Sequence, residues 1–136
     1  LPISVLPLDE VVHSIVKPPA AWRGTPAEEM VALDELTASV TFFTGSAREA
    51  ASRFPQNANV AVISALAGIG LDRTRIELVA DPGIIMNCHR LSVEGAFGRL
   101  TLTIENRPLR DNSKSSEMAA LSLVRAVRNR IAPLSQ

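Results

Sequence analysis

Strict alternation marks the second half of the chain. From Arg99 to Glu105, Leu100, Leu102 and Ile104 fall on one side and Arg99, Thr101, Thr103 and Glu105 on the other, the period of a half-buried strand. Asn87 to Glu94 repeats the period with His89, Leu91 and Val93 together, and Gly95-Ala96-Phe97-Gly98 joins the two runs at hairpin spacing. Thr74 to Ala80 is a further strand, closed by the turn signal Asp81-Pro82-Gly83. Nearer the start, the β-branched run Val11 to Val16 stops at Pro18-Pro19. Thr37 to Phe43 alternates with Ala38, Val40 and Phe42 inward.

Between the strands the pattern becomes helical. Pro26 to Leu36 carries acidic residues in its first turn and predicts a short helix, reached through a loop, Ala20 to Pro26, that Trp22 anchors by burying its ring. Ser46-Ala47-Arg48-Glu49 is a capping box, followed by a narrow apolar stripe of Ala47, Ala50, Ala51 and Phe54. Asn59 to Ile69 is apolar almost all round and predicts a buried helix, with Asn57 and Asn59 as caps at its entry. A polar loop, Arg107 to Lys114, leads to Ser115 or Ser116 as the cap of a last helix. That helix presents Met118, Leu121, Val124, Val127 and Ile131 on one face, with Arg125, Arg128 and Arg130 in its second half. The order β-α-β-α-α-β-β-β-α predicts an α+β two-layer sandwich: a mixed, largely antiparallel sheet with helices on one face. The other face must be polar or meet another sheet, and Ser92, Thr101 and Thr103 suit either.

With 136 residues there is room for one core. Fourteen basic and fourteen acidic residues cancel, so no basic face is implied for nucleic acid or an acidic membrane. No apolar run approaches the roughly 20 residues a membrane helix needs. Cys88 is the single cysteine, which excludes an internal disulfide, and a cytoplasmic setting is the default expectation. Gly68-Ile69-Gly70 lacks the third glycine of a dinucleotide fingerprint and reads as a helix stop. The chain begins at Leu1 rather than methionine, as expected of something processed or excised from a longer protein.

His89 is the sharpest chemical candidate, because imidazole both accepts and donates protons near neutrality. Alternation alone leaves two readings open, a core histidine bonded to a carbonyl or an acid–base group. Asn87, two residues earlier, shares its face. His13 lies in the first strand without polar company and is expected to be partly exposed. Asn57 reads as a cap only, whereas Asn59 also has an amide able to hold a carboxamide or ring substituent. Asn112, Lys114, Ser115 and Ser116 cluster at a helix N-terminus, a setting that suits a carboxylate or phosphate. Cys88 should point away from His89, and two histidines with one cysteine lack metal-ligand spacing.

Several blocks in order resemble the C-terminal domain of the L-aspartate dehydrogenases: Phe54-Pro55-Gln56-Asn57-Ala58-Asn59-Val60, Gly70-Leu71-Asp72-Arg73-Thr74, Ala80-Asp81-Pro82, Asn87-Cys88-His89 and Gly95-Ala96-Phe97-Gly98. The resemblance runs from about Val11 to Arg128. It implies the second domain of a dihydrodipicolinate-reductase-like dehydrogenase that oxidises L-aspartate to iminoaspartate, which hydrolyses to oxaloacetate and ammonia, for NAD biosynthesis. It also implies His89 as catalytic acid/base, Asn59 as a contact to NAD or NADP, and Asn87, Lys114 and Ser115 as substrate or supporting residues. A homodimer is implied as well, with the family's N-terminal Rossmann domain outside this chain, so the isolated domain is expected to be inactive. Two departures stand out. Asn112-Ser113-Lys114-Ser115-Ser116 replaces the family's Asn-Pro-Lys-Thr-Ser, and Val16 replaces an arginine before Lys17-Pro18-Pro19. The alternatives are a catalytically silent dimerisation domain or a related amino-acid or imine reductase.

Overall fold

The computed structural model describes residues 8–57, 69–107 and 128. Five strands form one mixed sheet: β1 (Leu8–Lys17), β2 (Val40–Ser46), β3 (Thr74–Ala80), β4 (Asn87–Gly95) and β5 (Gly98–Asn106). Their spatial order is β2-β3-β1-β4-β5. β1 runs parallel to β3, and the other pairs are antiparallel. The expected mixed and largely antiparallel sheet is therefore present. β1 lies at its centre, with β3 on one side and β4 on the other.

One face carries the main core. Ile15 of β1, Ile76, Leu78 and Ala80 of β3, and Phe43 of β2 meet Trp22, Ala27, Leu33, Ala47, Ala50 and Phe54 from the segments packed above them. Full burial of each large apolar side chain contributes about 1.5–3 kcal/mol. A second cluster on the same face joins Leu8, Val11, Leu91 and Val93 with the half-buried Leu100, Leu102 and Ile104. The opposite face is mainly polar: Arg90, Arg99, Thr101, Thr103 and Glu105 are exposed, and Ser14 Oγ donates to Glu77 Oε1 at 2.7 Å.

Local signals account for the boundaries. Trp22 is fully buried and its indole N–H donates to the Val79 carbonyl at 2.9 Å, which ties the loop after β1 to the sheet. Helix α2 (Ala47–Arg53) starts with the expected capping box. The Glu49 amide donates to Ser46 Oγ at 3.1 Å, and the Ser46 amide donates to Glu49 Oε1 at 3.4 Å. The β4–β5 hairpin pairs Gly95 with Gly98, whose φ of 117° is open to glycine alone.

Two expectations are corrected. The helix over Pro26 to Leu36 is only one turn, α1 (Ala27–Met30), followed by a 3-10 turn at Leu33–Glu35. Val31 between them is extended, at φ −152° and ψ 145°, and this break allows both Ala27 and Leu33 to reach the core. The strand expected from Thr37 to Phe43 starts instead at Val40. A register shift between Thr41 and Phe43 disturbs its alternation. Phe43 is consequently the deeply buried ring, Phe42 packs edge-on to Trp22 with centroids 4.8 Å apart, and Ala38 is exposed. The helices expected at Asn59 to Ile69 and after Ser115 lie outside the described residues, apart from Ile69 and Arg128. Among the described residues no helix is long and apolar enough to cross a membrane.

Candidate functional site

Neighbouring positions across a sheet share a face, so register decides which polar residues meet. His13 of β1 pairs with Leu91 of β4, and Ile15 pairs with His89. The two histidines therefore stand diagonally on one face. Their rings meet, with His13 Nε2 3.2 Å from His89 Nδ1 and centroids 5.4 Å apart. His13 has no exposed surface and His89 retains 3 %. The expectation of a partly exposed His13 without polar company is overturned. β1 is the central strand, so its inward residues are covered on both sides, and β4 brings the polar partner.

Both rings are held neutral at ordinary pH. Burial, reinforced by the charge that would develop on His89, lowers the His13 pKa to about 3. Burial, reinforced by the Lys17 ammonium, lowers that of His89 to about 4. A neutral imidazole carries one proton, so one ring of the pair donates and the other accepts. If His89 Nδ1–H is the donor, His89 Nε2 keeps a free lone pair.

Lys17 and Asn87 complete the polar end of this face. The β1–β4 pairing ends at Val16 and Cys88, and Lys17 and Asn87 are the next residues of the two strands. Asn87 pairs in turn with Asn106 of β5. Lys17 Nζ donates to Asn57 Oδ1 at 2.9 Å and lies 5.1 Å from the centroid of the Trp22 ring. Burial lowers its pKa. None of the salt bridges among the described residues involves Lys17. Asn87 is buried, and the Asn106 side-chain nitrogen is buried without a hydrogen-bond partner among the described residues.

Of the residues singled out from sequence, the structure brings His89 and Asn87 onto one face, as alternation requires. Asn57, read as a helix cap, is engaged through its side-chain oxygen by Lys17. Asn59, Lys114 and Ser115 lie outside the described residues. Cys88 is on the opposite face with Val16 and Val79, away from His89 as expected. His13, Lys17 and Asn106 were missed. A period-two signal was present for each: His13, Ile15 and Lys17 share one side, and Asn106 continues Leu100, Leu102 and Ile104. What the sequence lacked was the β1–β4 pairing.

Comparison with known proteins bears on this arrangement. The family described as "Aspartate dehydrogenase, C-terminal" matches residues 3–130. The L-aspartate dehydrogenase of Brucella anthropi is 58% identical over 129 residues, covering 95% of this chain and 48% of that protein. The L-aspartate dehydrogenase of Ruegeria pomeroyi is 53% identical over 121 residues, covering 89% and 44%. The crystal structure of aspartate dehydrogenase from Thermotoga maritima superposes with a TM-score of 0.64 at 25% identity, covering 98% of this chain and 48% of that one. The chain thus spans about half the length of the relatives it matches.

Proposed function

Because the chain belongs to the aspartate dehydrogenase C-terminal family, we propose that it is the substrate-binding half of an NAD(P)-dependent enzyme that oxidises L-aspartate to iminoaspartate. The observation that carries this reading is His89, a neutral imidazole almost wholly buried at the polar end of the sheet face, with Nδ1 engaged by His13. Hydrolysis of the imine would give oxaloacetate and ammonia, and the imine itself is the form that supports NAD biosynthesis.

The chemistry needs an amine free of its extra proton before hydride can leave Cα. His89 Nε2 takes that proton while Nδ1–H stays on His13, which fixes the tautomer and the ring's orientation. A bound nicotinamide supplies the hydride acceptor. Asn59 is proposed to contact the cofactor, and Lys114 and Ser115 to bind substrate, on the resemblance alone. The dinucleotide itself would be held mostly by a Rossmann domain elsewhere in the full-length protein. Its glycine-rich loop would cradle the phosphates, and its residues would decide between NAD and NADP. The polar outer face of β4 and β5 suits a sheet-to-sheet homodimer, and the setting is proposed to be cytoplasmic.

The direct test is steady-state oxidation of L-aspartate by the full-length protein with NAD and with NADP. Reduction of at least one nucleotide is expected. Turnover of a different amino acid with none of L-aspartate would replace this reading by that of a related reductase.

A further inference from the structure

An ammonium group drawn into a sheet face without a carboxylate beside it is costly unless something anionic completes it. Lys17 is in that position: its polar contact is the neutral Asn57 Oδ1, its other neighbour is the Trp22 ring, and it forms no salt bridge among the described residues. On the same row of the sheet, two strands away, Asn106 presents a buried N–H₂ group with no acceptor among the described residues. A buried donor left unsatisfied costs about 1–3 kcal/mol. Asn87 lies between them, itself buried. Strands are about 4.8 Å apart, so the row spans roughly 10 Å at the backbone. One cation and one orphaned donor therefore lie on one row of the sheet, for which the described residues supply no anionic acceptor, and Asn87 of that row is two residues from His89 on the same strand.

We propose that the row Lys17–Asn87–Asn106 is the carboxylate-binding site of the domain, with the Lys17 ammonium as counter-ion to one carboxylate of a short dicarboxylate and the Asn106 N–H₂ group donating to it. This deepens the proposed function and rests on it for the identity of the dicarboxylate as aspartate. It places the substrate's charge next to His89, where the reacting Cα and amine must lie. It also gives the basic group at this end of the sheet a use that the sequence motif Lys17-Pro18-Pro19 did not reveal. A carboxylate on Lys17 offsets the positive charge that, after burial, disfavours proton uptake by His89.

The test is calorimetric titration of the full-length protein, with oxidised cofactor present, using succinate and propionate. Succinate is expected to bind at least tenfold more tightly than propionate. Lys17→Met should weaken succinate by tenfold or more and Asn106→Leu by several-fold, with cofactor affinity unchanged. Lys17→Gln serves as a second variant should Met at this position fail to fold. Succinate affinity within twofold of the unmodified protein in a folded Lys17 variant would overturn the proposal, as would loss of cofactor affinity in place of succinate affinity. Because binding is read without turnover, a protein that does not oxidise aspartate yet loses succinate on Lys17→Met would refute the proposed reaction and leave the carboxylate site standing.

Discussion

His13 Nε2 lies 3.2 Å from His89 Nδ1 in a part of the sheet where neither ring reaches solvent appreciably. Two buried imidazoles in hydrogen-bond contact cannot both present the same type of nitrogen, so each constrains the other's tautomer. That relationship ties the central strand β1 to the candidate base on β4.

His13→Phe should therefore lower kcat/KM for L-aspartate in the full-length protein by about 10-fold or more, with the KM for the cofactor unchanged. Phe fills the space but leaves His89 Nδ1 unpaired, a loss of about 1–3 kcal/mol in a buried setting. An unchanged pH–rate profile with full activity would show that His13 does nothing beyond packing.

Stability should fall on the acid side of neutrality. Folded-state pKa values of about 3 for His13 and about 4 for His89 lie below the ordinary histidine value near 6.5. The unfolded chain therefore binds more protons as pH drops below 6.5. Each histidine then removes up to about 1.4 kcal/mol per pH unit until its folded pKa is reached. The contribution is complete above pH 6.5 and lost progressively towards pH 4 and 3. Denaturant melts across this range should show the slope, and His13→Phe should flatten it. A pH-independent midpoint between 6.5 and 4 would contradict the buried neutral pair.

Gly45→Ala should destabilise the fold by about 1–3 kcal/mol, the usual cost of forcing extra volume into a packed site. A Cβ at Gly45 would stand 2.9 Å from Phe43 Cζ, and that ring is wedged in the core against Phe54. Thermal or denaturant melting decides it. An unchanged midpoint would mean that the Phe43 ring yields freely.

Much of the fold was legible because alternation and punctuation agree. β3, β4, β5 and the capping box at Ser46 fall where the pattern places them, since Leu100, Leu102 and Ile104 or the Ser46–Glu49 pair leave the chain few other choices. β2 slipped because an irregularity at Thr41 to Phe43 lets two consecutive phenylalanines serve the core, which strict period two forbids. The short α1 was overextended because nothing in Pro26 to Leu36 announces that Val31 turns extended. In the site, Asn87 and His89 were visible from spacing within one strand. His13, Lys17 and Asn106 become neighbours of that pair only through non-local register, and a single sequence carries no record of which strands pair.

The central claim, that His89 is the acid–base group of an aspartate dehydrogenase, is tested most directly by kcat for L-aspartate oxidation in the full-length protein carrying His89→Asn. Asparagine keeps hydrogen bonding at a similar size but cannot take up the proton, so kcat should fall by about 100-fold or more. Circular dichroism and cofactor affinity should stay those of the unmodified protein. A folded variant turning over within a few-fold of the unmodified rate would contradict the claim and reduce His89 to a core residue.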